Sequence, residues 1–360
     1  MHNRSIIHFI KRKPLNILLL AFPLAFIARL VNWNPVWVFL ISAIALIPLA
    51  GLIGEATEAL AVVTGPRIGG LLNATLGNAA ELIITLVAIR AGYLELVKAS
   101  ITGSILGNLL LVMGFSMVVG GVKHGLQTFD RRQAGNHAIL LTLVIIALVV
   151  PSLFSHSIGS ELSVQVEALS LGVAAIMMIL YGLGVFYSLK TAKGPMAYHD
   201  GGKRPAPEMG LLTAVILLTV ATMGVVIMSE LLVGAVENVT ENLGLSEFFL
   251  GIILIPIIGN VAEHLVAVQV AGRNQMELSL EIAVSSSLQI ALFVAPLLVF
   301  ISLLLGHPLT LIFNQFELLA LGAAVVIAAL VAADGESNWL EGAALLAVYL
   351  ILGIGFFLLP

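Results

Sequence analysis

Long apolar runs separated by short polar breaks dominate the chain. Eleven such segments can be delimited, at 15–31, 36–63, 69–89, 94–119, 136–154, 162–189, 209–236, 247–270, 278–305, 309–333 and 339–359. Each is continuously apolar rather than alternating with a period of two, which argues against a strand barrel. Roughly 20 apolar residues carry a helix across a bilayer, so the pattern predicts an all-α integral membrane protein with eleven transmembrane helices. The second, seventh and ninth segments are long enough to cross with tilt. One polar connection is long, KTAKGPMAYHDGGKRPAPE at 190–208, and its Gly, Pro and charged residues predict a cytoplasmic linker.

The same polar interruption occurs twice within these runs. GNAAELI (77–83) sets Asn78 and Glu81 one helical turn apart, and GNVAEHL (259–265) does the same with Asn260 and Glu263. The offset is 182 for both pairs (260 − 78 and 263 − 81). The third and eighth segments are five crossings apart, and an odd separation inverts the second copy relative to the first. That is the arrangement of inverted-repeat transporters, whose substrate sites lie where the repeats meet near the midplane. SITGSILGNLLLVMG (100–114) answers AVSSSLQIALFVAP (283–296), with Ser104 and Ser286 at the same offset. Upstream, ATEALA carries Glu58 and AVENVT carries Glu237, at an offset of 179 that implies a short insertion or deletion. The expected organisation is a basic segment and extra helix over 1–35, a five-helix repeat over 36–189, the linker 190–208, and an inverted five-helix repeat over 209–360.

Composition agrees with the pattern. The chain is 360 residues long, 60% hydrophobic and 10% charged, with a mean hydropathy of +1.11. Soluble domains are about 45–50% apolar and about 25% charged. The absence of cysteine excludes disulfides, thiolate metal sites and cysteine nucleophiles. The opening MHNRSIIHFIKRKPLNILLL imitates a signal peptide, but no small-residue cleavage site follows, so a retained first helix is expected. The net charge of −4 matters less than where the charges fall. With the N-terminus inside, 13 of the 16 Lys and Arg residues fall on the inner side, and only Arg29, Arg90 and Lys98 outside. The positive-inside rule therefore predicts a cytoplasmic N-terminus and an outer C-terminus.

The chemistry lies in the repeated acids. A carboxylate near the bilayer centre costs about 2.5–3.5 kcal/mol on insertion scales, and it marks an ion or proton pathway unless it is paired. Neither motif helix carries a deep Lys or Arg. Two acids meeting across a pseudo-two-fold axis suit a divalent cation, since calcium takes about 6–8 oxygen ligands. Asn78 and Asn260 share a helix face with Glu81 and Glu263, and Ser104, Asn108, Ser286 and Gln289 add oxygens. All are hard donors apart from His264, which disfavours zinc or copper. Pro256 cannot donate to the carbonyl of Ile252, so that oxygen is expected to turn toward the ion. The same two acids would take protons when the cation leaves, the minimum requirement for antiport. His264, adjacent to Glu263, is a candidate for proton coupling. Glu58, Glu230 and Glu237 are candidates for acidic steps on the access paths. The acids of DGESNWLE (334–341) are expected at a solvated loop and cap.

No GxxxxGK(S/T) loop, HExxH helix or GxSxG elbow is present, so an ATP motor, a zinc protease and a serine hydrolase lack their motifs. No basic–aromatic stripe points to nucleic acid. GGLLNATLGNAAELI (69–83), SITGSILGNLLLVMG, IGNVAEHLVAV (258–268) and SSSLQIALFVAP (285–296) resemble the calcium/proton exchanger family of the calcium/cation antiporter superfamily, in order and over nearly the whole chain. The resemblance implies eleven helices and central acids at Glu81 and Glu263, supported by Asn78, Ser104, Asn260, Ser286 and Gln289. It implies access-path acids at Glu58, Glu230 and Glu237, and helices two and seven moving as a gating pair. The basic linker departs from the acidic helix of many eukaryotic members, and with the short N-terminus it points to a prokaryotic inner or plasma membrane. The expected activity is export of calcium in exchange for protons, with no cofactor. The expected partners are calcium, protons and membrane lipid, with self-association left open. The alternatives are a sodium/calcium exchanger, an antiporter of another divalent such as manganese, and, more remotely, a cation channel.

Overall fold

The computed structural model describes residues 14–65, 69, 72–73, 75–160, 163–190 and 209–359. Arg4, Lys11, Arg12, Lys13, Arg67 and nearly all of the 190–208 linker, with Lys193, Lys203 and Arg204, lie outside the described residues. In chain order the helices are α1 (Leu15–Leu30), α2 (Pro35–Thr64), α3 (Ala79–Arg90), α4 (Leu94–His124), α5 (Arg131–Ile158), α6 (Val164–Lys190), α7 (Leu211–Leu243), α8 (Glu247–Ala271), α9 (Met276–Leu304), α10 (Gln315–Val331) and α11 (Trp339–Leu358). Eight of these among the described residues are long and apolar enough to cross a membrane; α1, α3 and α10 are shorter.

Local chemistry explains the helix ends. Asn34 caps α2 ahead of Pro35 at the first helical position. Asp130 accepts from the amides of Arg132 and Gln133 at the start of α5. Asn314 and Asn338 each close a capping box, with Glu317 and Glu341 respectively. The acids of the 334–341 stretch thus do serve turn and cap, as Asp334 accepts from the amide of Glu336.

Three helices contain a π turn, at Gly107–Val112 in α4, Leu250–Leu254 in α8 and Ile290–Val294 in α9. The last two each end two residues before a proline, Pro256 or Pro296. Proline removes a backbone donor, and widening the preceding turn is one way a helix absorbs that loss; such turns are frequent at functional sites. The turns in α4 and α9 also end at matching places in the duplicated motif, since 294 − 112 equals 182, and their starts match to within one residue.

By contact, the chain divides into two compact units that interleave its sequence halves. The first comprises described residues of Met1–Ala91, Lys203–Glu247 and Ile258–Ala262. In it α2 packs along α7, with Ala59, Leu60 and Ala214 buried together. The second comprises described residues of Gly92–Gly202, Phe248–Ile257 and Glu263–Pro360. In it Val112, Ala267 and Ala283 form a buried contact, and Gln127–Thr128 pairs antiparallel with Glu336–Ser337. Gln127 also donates to Asn274 Oδ1 at 2.8 Å, so three loops at one end of this unit are sewn together.

Two expectations change. The tenth segment was expected from 309, but its helix begins at Gln315. Leu309, Leu311 and Phe313 are nonetheless buried, and their amides donate to Ser302, Ser170 and Ser152 at 2.8, 3.1 and 3.0 Å. Irregular backbone survives at membrane depth only when protein satisfies it, and three serine hydroxyls do so here. The third segment is likewise not one helix over 69–89, because a turn at Gly77–Asn78 precedes α3.

Candidate ion-binding site

In the first unit, α3 starts immediately after Asn78, whose backbone (φ −97°, ψ 21°) lies outside the helical well. Glu81 therefore occupies the first turn of α3, the helix end that favours negative charge. Asn78, Glu81 and Asn260 are all buried, at 1%, 4% and 1% exposure. Gly259 makes this packing possible. A Cβ built there would stand 2.9 Å from Glu81 Cγ, so the first motif's carboxylate side chain rests on the second motif's glycine. Gly259 lies in the uninterrupted helix Ile255–Ala271, with Asn260 next to it and Glu263 one turn further on.

In the second unit, Ser104 and Asn108 of α4 and Ser286 of α9 are buried. His264 meets Asn108, with its Nε2 3.2 Å from Asn108 Oδ1, and so is held by an amide 156 residues away rather than by its neighbour Glu263. Ser286 faces Glu263. Glu263 is part-exposed overall, yet its Oε2 is fully covered and, like Ser286 Oγ and Asn108 Nδ2, has no hydrogen bond of good geometry. Buried polar atoms are normally paired, and oxygens left over in this way are what a cation coordinates. Gln289 is partly buried at the start of the α9 π turn. Asn108, noted in the sequence only as a further oxygen, is the residue that orients His264. Nothing in the spacing signalled that pairing.

The expected role of the Ile252 carbonyl is not seen. A Cβ on Gly103 would overlap that oxygen, and it would lie 2.7 Å from Pro256 Cγ. The carbonyl to which Pro256 cannot donate is thus covered by the glycine beside Ser104. The three access-path candidates Glu58, Glu230 and Glu237 are all exposed. Glu230 Oε1 lies 3.6 Å from Arg90 Nη1 at the end of α3. Among the described residues no group of three or more His, Asp or Glu side chains is placed to hold a metal. An ion held by the motif acids would need hydroxyl, amide or water oxygens to complete its shell.

The sodium/calcium exchanger protein family model matches the chain over two stretches, 34–190 and 213–358. A Ca(2+)/H(+) antiporter of Aphanothece halophytica is 46% identical over 95% of this chain and 96% of its own length. The Ca(2+)/H(+) antiporter ChaA of Bacillus subtilis is 43% identical over 94% of this chain and 96% of its own. Among solved structures, native YfkE superposes with a TM-score of 0.84 at 42% identity, covering 96% of this chain and all of that one (100%).

Proposed function

The chain belongs to the sodium/calcium exchanger protein family, and from that premise we propose that it exports calcium from the cytoplasm in exchange for protons by alternating access. Glu81 and Glu263 bind calcium and protons in competition, with Asn78, Asn260, Ser104, Ser286 and Gln289 supplying or supporting oxygen ligands. The observation that carries this reading is the seating of Glu81 on Gly259, one helical turn from Glu263 on the same helix. Two carboxylates that share one ion repel while both are charged. A divalent cation relieves that repulsion, and so do protons, so the two ligands exclude each other. The relatives named as calcium/proton antiporters favour protons over sodium as the counter-ion.

The finer architecture belongs to the same proposal. Eleven helices cross the inner membrane, N-terminus inside and C-terminus outside, as an extra helix followed by inverted repeats at 36–189 and 209–360. The two stretches matched by the family model, and the π turns that end at the common offset, support that division. His264, held by Asn108, assists proton coupling. Glu58, Glu230 and Glu237 lie on the access paths, with Arg90 the local counter-ion of Glu230.

Calcium flux into proteoliposomes, driven separately by a pH gradient and by a sodium gradient, tests the activity. The pH gradient alone is expected to drive uptake, and Glu81→Gln and Glu263→Gln are each expected to abolish it. Near-normal flux in either variant would overturn the site, and flux that follows only sodium would overturn the proton coupling.

A further inference from the structure

Away from the motif acids, one cavity of the second unit collects titratable side chains at increasing depth. Its lining includes Asp130 and His137 of the α5 region, Glu277 and Glu281 of α9, and Met113 of α4. Asp130 and Glu277 are exposed at its mouth, whereas His137 and Glu281 are 5% and 8% exposed further along the same two helices. The space left for water is about 40 Å³, enough for at least one molecule where polar partners surround it. The lining from α10 is Ala328, Ala329 and Ala332, and α6, also packed on α5, contributes nothing to it. The acidic side chains that line the cavity with His137 are therefore Glu281, Glu277 and Asp130. An imidazole exchanges protons near neutral pH, which makes this pairing suited to passing protons.

The cavity reaches toward the candidate ion site along two helices at once. Glu281 precedes Ser286 by five residues on α9, and Met113 follows Asn108 by five on α4. Five residues of helix rise about 7.5 Å. Its mouth lies at the helix ends whose loops carry Lys123, Arg131, Arg132 and Arg273, the end read as cytoplasmic.

The repeat supplies a contrast. The 182 offset that relates the motifs takes Glu95 to Glu277, and takes Lys98 to Leu280, beside Glu281. Lys98 is buried and ion-paired with Glu95 at its corner of the unit. Glu317 is fastened there by Thr102 Oγ1 and the Asn314 amide at 3.1 and 2.9 Å. Both corners line a cavity, but one presents a lysine ion-paired with Glu95, and the other an imidazole and a carboxyl.

We propose that the His137–Glu281 cavity is the proton port of the exchanger, through which protons pass between the acids of the ion site and the cytoplasm on a route separate from that of calcium. The inference rests on the calcium/proton exchange reading. A proton released at the ion site moves by water to Glu281 or His137, then by way of Glu277 and Asp130 to bulk water, and every group ends in its starting state.

The full chain in proteoliposomes supports two measurable reactions, calcium uptake against a pH gradient and calcium/calcium self-exchange at equal pH on both sides. Self-exchange needs the cation path but no net proton movement. In Glu281→Gln and in His137→Asn, uptake driven by the pH gradient is expected to fall by about ten-fold or more, while self-exchange stays within about two-fold of wild type. Equal losses in both reactions would show that these residues only support the fold, and unchanged uptake would show that protons travel elsewhere; either overturns the port. Should Glu281→Gln fail to yield monodisperse protein, the same pair of rates in His137→Asn and Glu281→Asp decides the matter. A wild-type chain that performs self-exchange with no response to a pH gradient would instead overturn the exchange reading itself.

Discussion

Replacing Gly259 by alanine adds one methyl group at the point where the two sequence motifs touch. The new Cβ would stand 2.9 Å from Glu81 Cγ, with Glu81 Cδ and Oε1 at 3.6 and 3.8 Å in ordinary contact. Carbon atoms settle at about 3.5–4.0 Å, so the Glu81 side chain must withdraw by roughly 0.6–1.1 Å or α8 must shift by as much. Overpacking of this kind costs about 1–3 kcal/mol in stability. The cost to function is expected to be larger than the cost to folding. Calcium–oxygen distances span only about 2.3–2.6 Å, and a carboxylate displaced by nearly an ångström would lose its place in the proposed shell. We expect the apparent calcium affinity to fall at least about ten-fold, equivalent to about 1.4 kcal/mol. The assay is initial-rate calcium uptake in proteoliposomes over a range of calcium concentrations, beside thermal unfolding of the purified variant. Gly54→Ala, where a Cβ meets nothing within 4 Å, is the matched control and should behave as wild type. A double-mutant cycle sharpens the test, because Gly259→Ala should add little once Glu81 is already glutamine. A folded Gly259→Ala protein with calcium affinity within about two-fold of wild type would refute the seating of Glu81 as a determinant of binding.

Two further substitutions test the packing that supports the site. Gly103→Ala would drive its methyl into the Ile252 carbonyl and to 2.7 Å from Pro256 Cγ, both stiff obstacles, so a clear drop in unfolding temperature is expected by scanning fluorimetry; an unchanged temperature would show that α4 and α8 separate there at little cost. Ser152→Ala removes the acceptor of the buried Phe313 amide and should cost about 1–3 kcal/mol, visible as faster hydrogen exchange at that amide; unaltered protection would mean that another group takes over.

The membrane class and the candidate acids were legible because each violates or fulfils an energetic rule that needs no neighbour. A run of some twenty apolar residues has few stable fates other than a helix in lipid. A carboxylate within such a run is costly enough to announce itself, and its repetition at a fixed offset marked Glu81 and Glu263 as a pair. Hydropathy misled where burial comes without a helix. Residues 309–313 are as apolar as a spanning segment, but their amides are met by three serines from elsewhere in the chain. Lys98 was counted only as one of the outer charges, yet it is buried against Glu95.

By itself, then, the sequence determined the solvent in which this chain folds, the duplicated motif it carries, and the two expensive acids within that motif. All of these follow from transfer energies and spacing along one strand of residues. Tertiary structure alone decided that Glu81 lies on Gly259, that Asn108 rather than Glu263 holds His264, that the carbonyl of Ile252 is covered by Gly103, and that His137 and Glu281 share a cavity. Each depends on which surfaces of distant helices approach closely enough to exclude a single methyl group or to place two polar atoms within 3.2 Å. Periodicity specifies that a helix has a buried face; only packing specifies what that face meets.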